Sequence, residues 1–185
     1  MENKKFADYQ INYFNPREPV ANLSGNLPHW RQEGVAYFVT FRLADSIPSS
    51  KLNQLMLKKA EWLKIHPEPH DKKTKAEYYS LFIERSQKWL DKGYGACILK
   101  DFKIRTIVID IIKYHDGVRY ILDNWVIMPN HVHIIITPNE VFSLSEIEQY
   151  WKSLSAHKIN KAIKRKGILW QKESFDHIIR NPIQL

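Results

Sequence analysis

One cysteine, Cys97, is all the thiol chemistry this 185-residue sequence has. A lone thiol forms no disulfide framework and no cysteine-rich zinc site, which excludes the small secreted scaffolds. Long apolar runs are missing as well. Nothing approaches the ~18–20 apolar residues that a membrane span needs, so none is expected. The opening residues Met1-Glu2-Asn3-Lys4-Lys5-Phe6 are polar and lack the apolar centre of a signal peptide. Internal repeats and low-complexity tracts are absent. Acidic residues are scarce relative to basic ones, 20 against 28. These absences together predict a cytoplasmic protein.

What is present suits a globular fold. Hydrophobic residues make up 44% of the chain, with 6 Trp, 9 Tyr and 8 Phe, enough to build a core and too many for a disordered segment. The length predicts one domain, residues 31–185, preceded by an irregular arm over residues 1–30 with turn signals at Asn15-Pro16 and Leu27-Pro28. The net charge of +8 favours a polyanionic partner, of which nucleic acid is the commonest.

Hydrophobic periodicity supplies the elements. Val35–Leu43 is β-branched and aromatic and reads as a strand. Ser49 or Ser50 is positioned to cap a helix carrying Leu52, Leu55, Met56 and Leu63, which Pro67-Glu68-Pro69 breaks. A second helix is predicted over 75–92, closed by Gly93 and Gly95. Ile104, Ile107, Val108, Ile111 and Ile112 recur at three-four spacing, so 101–115 reads as a helix although its β-branched content competes for strand. Tyr120–Met128 and His131–Thr137 form a predicted antiparallel hairpin. Ser143 then caps a helix running to about Lys166, ended by Gly167. This order predicts an α+β fold with helices packed on an antiparallel sheet and an extra helical segment around 50–92.

The chemistry concentrates at Met128-Pro129-Asn130-His131-Val132-His133. Side chains alternate along a strand, so His131 and His133 share one face, about 7 Å apart along the backbone. Two such imidazoles can converge on a divalent ion; they are equally compatible with an ordinary strand face that carries histidine twice. The helix that follows carries Lys152, Lys158, Lys161, Lys164, Arg165 and Lys166, with no acid in its second half. Lys158, Lys161 and Arg165 fall at three-four spacing and form a basic ridge suited to a phosphate backbone, or else a solvated face favoured by the helix dipole. Trp170 and Phe175, near those cations, are candidates for stacking on unpaired bases or for the core. Leu27-Pro28-His29-Trp30 is either a packing anchor or part of a binding edge.

Several of these segments together resemble the REP-associated tyrosine transposases, single-tyrosine HUH nucleases related to insertion-sequence transposases. The residues that carry the likeness are Leu27-Pro28-His29-Trp30, Tyr37–Leu43, Trp125–His133, Trp151-Lys152-Ser153, Lys158-Ile159-Asn160, Leu169-Trp170-Gln171, Phe175-Asp176 and Ile179-Arg180. The resemblance implies a ferredoxin-like domain in which His131 and His133 bind Mg²⁺ or Mn²⁺. It implies cleavage and strand transfer on single-stranded DNA beside a palindromic hairpin, through a phosphotyrosine intermediate. Gln171 and Arg180 join Lys152, Lys158, Lys161, Lys164, Arg165, Lys166 and Trp170 as the expected DNA-binding set. The expected partner is hairpin or palindromic DNA, with no membrane, and the expected state is a monomer or homodimer.

The sequence departs from the family pattern at two places. The nucleophilic tyrosine is expected on a helix after Arg180, and the sequence reaches Leu185 before it. Ser174 occupies a slot where relatives often carry tyrosine. The expectation is therefore a truncated product, or a protein that keeps DNA binding without strand transfer. Tyr150, on the helix after the histidine strand, is the best-placed substitute and equally a core-flanking residue. Two alternatives remain open at this point. One is a non-catalytic hairpin-DNA-binding module. The other is a metal-dependent hydrolase of small phosphoesters, which would need a third protein ligand and an acid or base near the pair, with Asp110, Asp123 and Glu146 as candidates.

Overall fold

A computed structural model describes residues 10–23, 29–67 and 70–184. Leu27 and Pro28 of the Leu-Pro-His-Trp motif lie outside the described residues. Within the stretch read as an irregular arm, β1 (Ala21–Leu23) pairs antiparallel with β2 (His29–Arg31). Strands this short carry no periodicity that a sequence reading could detect.

The central sheet has four strands: β3 (Tyr37–Arg42), β4 (Tyr120–Ile127), β5 (His131–Pro138) and β6 (Phe175–Ile178). Their order is β4-β5-β3-β6 and every pairing is antiparallel. With α4 (Phe102–Lys113) and α5 (Leu144–Ala162) as the crossovers, this is the ferredoxin-like β-α-β-β-α-β arrangement that the family resemblance implies. The extra helical segment is also present, as α1 (Ser49–Ile65), α2 (Lys72–Tyr78), a π-helical turn over Tyr79–Glu84 and α3 (Arg85–Asp91).

Local chemistry accounts for most boundaries. The Asp101 carboxylate accepts from the backbone N–H of Lys103 (2.7 Å) at the start of α4. Ser143 and Glu146 form a reciprocal capping box on α5. Asp71 caps α2 by accepting from Thr74 N–H (2.7 Å), so this helix starts at Lys72, three residues before the predicted Lys75. Neither serine caps α1: both lie inside the helix, and Pro48 precedes it without a side-chain cap. The last long helix ends at Ala162, because Lys164 takes a left-handed backbone (φ 53°). Lys164, Arg165 and Lys166 therefore follow the helix on a turn, where Arg165 donates to the Ile168 carbonyl (2.9 Å).

The two faces of the sheet differ in kind. Tyr37, Val39, Phe41, Val132, Ile134 and Ile136 point into the main core beside Ile104, Val108, Ile112, Ile147, Trp151 and Ile159 of α4 and α5. By the register, Phe38, Thr40 and Arg42 lie opposite Ile135, His133 and His131 on the other face. Helix α3 is brought near that face through Asn130, whose Nδ2 donates to the carbonyls of Leu90 (3.3 Å) and Tyr94 (3.1 Å). The inserted helices hold a small core of their own, Leu55, Trp62 and Phe82. No helix among the described residues is long and apolar enough to cross a membrane.

Candidate metal and nucleic-acid site

The period-two argument puts His131 and His133 on one strand face, and the side chains close the remaining gap. Their Nε2 atoms lie 3.0 Å apart. The network around them fixes the ring chemistry. Both Nδ2 protons of Asn130 go to backbone carbonyls, so its Oδ1 must accept from His131 Nδ1, at 2.7 Å. That leaves a bare lone pair on His131 Nε2, directed at His133. His133 is held through Nδ1 by the Thr40 hydroxyl (2.8 Å) and stacks on Phe38 at 5.2 Å between ring centres.

Burial keeps both rings neutral. His131 is fully buried, and desolvation, followed by the neighbouring His133 ring, pushes its pKa down to about 4. Desolvation lowers His133 as well, with Asp91 opposing it. A neutral imidazole oriented through Nδ1, with Nε2 left for a ligand, is the state in which histidine binds metal. The residues present therefore fit a divalent ion, and two nitrogen donors suit Mn²⁺ better than Mg²⁺, which prefers an octahedron of oxygens. Among the described residues no cluster of three or more His, Cys, Asp or Glu surrounds a common point. Any further protein ligand would come from another residue type.

The depressed histidines have a consequence for acid stability. A histidine whose folded pKa lies below 6.5 takes up its proton more readily in the unfolded chain, so stability falls as pH drops from about 6.5 toward 4. The melting temperature should fall measurably between pH 7 and pH 5, before most carboxylates titrate. His131→Gln should flatten that part of the profile in a pH series of thermal melts.

His133 opens onto a cleft of about 580 Å³ between the sheet and the inserted helices. Phe38, Phe175 and His177 form one side, and Tyr79, Gln87, Lys88 and Asp91 contribute to the other. Several residues at or beside this cleft lay outside the sequence reading as site members, Gln87, Tyr79 and Arg42 among them. Gln87 places Nε2 at 3.2 Å from His133 Nε2. Tyr79 is half-exposed, on the π turn. Arg42, opposite His131 in the register, is partly buried; its guanidinium donates to Ser46 Oγ (3.3 Å) and burial lowers its pKa. No spacing in the sequence marks Gln87 or Tyr79, because their helices reach the site only through tertiary packing. Arg42 was legible in principle, two residues along β3 from Thr40.

The other candidates scatter. Lys158, Lys161, Lys164, Arg165 and Lys166 are exposed. They lie at the histidine end of the sheet, because α5 runs back toward it: Leu169 O accepts from Ala44 N–H, and Gln171 N–H donates to the Arg42 carbonyl. Lys152 instead turns inward, its ammonium donating to the Lys172 carbonyl (2.6 Å). Trp170 belongs to the core, 4% exposed, donating to Ser155 Oγ (2.8 Å) and edge-on to Phe41 at 4.8 Å. Phe175 is only partly buried and faces the cleft. Gln171 Nε2 donates to the Ala44 carbonyl (2.8 Å), and the Arg180 guanidinium lies 5.8 Å from the Trp30 ring centre. Tyr150 packs against His115 (4.9 Å) and under Arg119 (5.1 Å). Arg119 binds Asn139 just past the end of β5, whereas the histidines open that strand, so Tyr150 is far from them. Glu146 is engaged in its capping box and Asp110 is exposed on α4, so neither completes a hydrolase site at the histidines.

Comparison with known proteins adds a family match over part of the chain. The family model described as transposase, IS200 like, matches residues 96–178, from the loop before α4 to the end of β6. Among solved structures, the chain is similar to a REP-associated tyrosine transposase bound to a REP hairpin, with 15% identity and a TM-score of 0.43. That alignment covers 86% of this chain and 65% of the other, so this chain spans less than two thirds of that protein's length. None of the curated proteins matches. Over residues 96–178, with both histidines and three of the four strands of their sheet, the chain matches the IS200-like transposases.

Proposed function

We propose that this protein binds single-stranded DNA beside a hairpin and presents one phosphate to a divalent ion held by His131 and His133. The observation that carries the reading is the pair of Nε2 atoms 3.0 Å apart, each ring fixed from behind through Nδ1, at the mouth of the cleft. An ion bound there polarises a phosphate oxygen and offsets charge at phosphorus. The rest is the work of the chain. Asn130 and Thr40 orient the imidazoles, and burial keeps them unprotonated at neutral pH. Arg42, whose side chain meets a serine hydroxyl in place of a carboxylate, offers donors to a second phosphate oxygen. Phe38 and Phe175 offer ring faces to an unpaired base. Lys158, Lys161 and Arg165 draw the strand toward the same end of the sheet.

Fluorescence anisotropy with a labelled hairpin oligonucleotide carrying a single-stranded flank tests the binding. The triple variant Lys158→Ala, Lys161→Ala, Arg165→Ala should weaken binding and make the salt dependence shallower by about 2 in the log–log slope, from ~0.7 per phosphate contact. An unchanged slope would remove this ridge from the interface. A denaturant-resistant protein–DNA adduct requiring Mn²⁺ would extend the function to strand cleavage, whereas tight binding without an adduct would mark a binding module.

A further inference from the structure

The inserted helices lie outside the family match and yet reach the histidines. Gln87 is on α3, a helix tied to the turn before His131 by the Asn130 amide, and its side-chain nitrogen is 3.2 Å from His133 Nε2. We infer that Gln87 is a third protein ligand of the histidine metal site, through its side-chain oxygen. This rests on the proposed metal reading and adds to it a ligand from a segment with no counterpart in the matched region.

Three observations converge. The first is geometric. Adjacent ligands of an octahedral ion with bonds of ~2.1 Å are separated by ~3.0 Å. His131 Nε2 and His133 Nε2 are 3.0 Å apart, and the Gln87 amide is 3.2 Å from His133 Nε2. Both partners of His133 Nε2 are thus at the separation of neighbouring corners of a coordination shell. The second is the freedom of the amide. The contact with His133 is the hydrogen bond that the Gln87 side chain makes among the described residues. Half a turn about its last torsion exchanges Nε2 for Oε1 without breaking any other contact. The third is chemical. No carboxylate, cysteine or further histidine joins the pair among the described residues, and a carboxamide oxygen is a hard donor of the kind Mn²⁺ and Mg²⁺ accept.

The arrangement also explains the site without metal. His131 Nε2 is an acceptor, so the proton between the two rings belongs to His133 Nε2. An amide oxygen from Gln87 beside it would share that proton. A cation held by the same three groups would require that proton on His133 Nδ1, where the Thr40 hydroxyl oxygen at 2.8 Å can accept it.

Mn²⁺ titration of the DNA-free protein, followed by electron paramagnetic resonance and calorimetry, tests the assignment. Gln87→Ala should weaken Mn²⁺ about tenfold or more, and Gln87→Glu should restore or tighten it. Circular dichroism melts of both variants should stay close to the parent, since the side chain lies at a cleft wall. If Gln87→Ala binds Mn²⁺ as tightly as the parent, the inference is overturned and the histidine reading stands. If the parent protein binds no Mn²⁺, the histidine reading itself fails.

Discussion

Replacing both His131 and His133 by alanine should lower Mn²⁺ affinity by at least about 100-fold, because loss of a single outer-shell partner already costs 10–100-fold at metal histidines. Both nitrogen donors go at once, and Asn130 Oδ1 and Thr40 Oγ1 are left facing the space the rings filled. Affinity for single-stranded DNA in the presence of a chelator should change much less, since the proposed interface rests on Lys158, Lys161 and Arg165. Calorimetry with Mn²⁺, alongside anisotropy in chelator, separates the two effects. Equal loss in both assays would mean that the histidines contribute to DNA binding through structure alone. Thr40→Val makes the graded version of the experiment, removing only the support behind His133, and should fall between the parent and the double variant.

The second large effect is on stability. Trp151 is 1% exposed, stacks with Phe41 at 6.3 Å and meets Tyr120 edge-on at 5.2 Å. Its Nε1–H donates to the Tyr120 hydroxyl (2.9 Å), which in turn donates to the Ile112 carbonyl (2.6 Å). One side chain thus joins α5, β3, β4 and α4. Trp151→Ala should cost about 3–5 kcal/mol from lost burial and the cavity left behind. For a chain of this length that lowers Tm by roughly 6–20 °C, read by thermal melts or denaturant titration. Trp151→Phe, which keeps a ring and gives up the hydrogen bond, should cost distinctly less. Tyr120 is held in this chain of bonds with its pKa pushed up to about 12, mainly by burial, so it stays a neutral structural phenol.

What the sequence revealed follows from how local each signal is. The pairing of His131 with His133 needs only the two-residue repeat of a strand, and α5 needs only Ser143, Glu146 and its apolar stripe. The α+β order was legible because the crossover helices and the hairpin are long and periodic, whereas the ferredoxin-like closure was implied by the family resemblance. Other features depend on what packs against them. Trp170 and Lys152 sit among cations in the sequence, yet one is inside the core and the other bonds a backbone carbonyl. Their solvent exposure is a tertiary property that spacing cannot reveal. Strand β6, four residues long, exists because β3 offers it an edge, and Gln87 reaches His133 because Asn130 fastens the far end of α3.

The strand order has a consequence for how the chain is made. Strand β3 lies in the interior of the sheet, yet both of its neighbours are synthesised long after it: Thr40 meets His133 of β5 93 positions later and pairs with Phe175 of β6 later still. Until those partners emerge from the ribosome, Tyr-Phe-Val-Thr-Phe-Arg has two unsatisfied edges and a strong tendency to pair with other nascent chains. The helical insertion that follows it is translated during this interval, and its small core of Leu55, Trp62 and Phe82 draws only on its own residues.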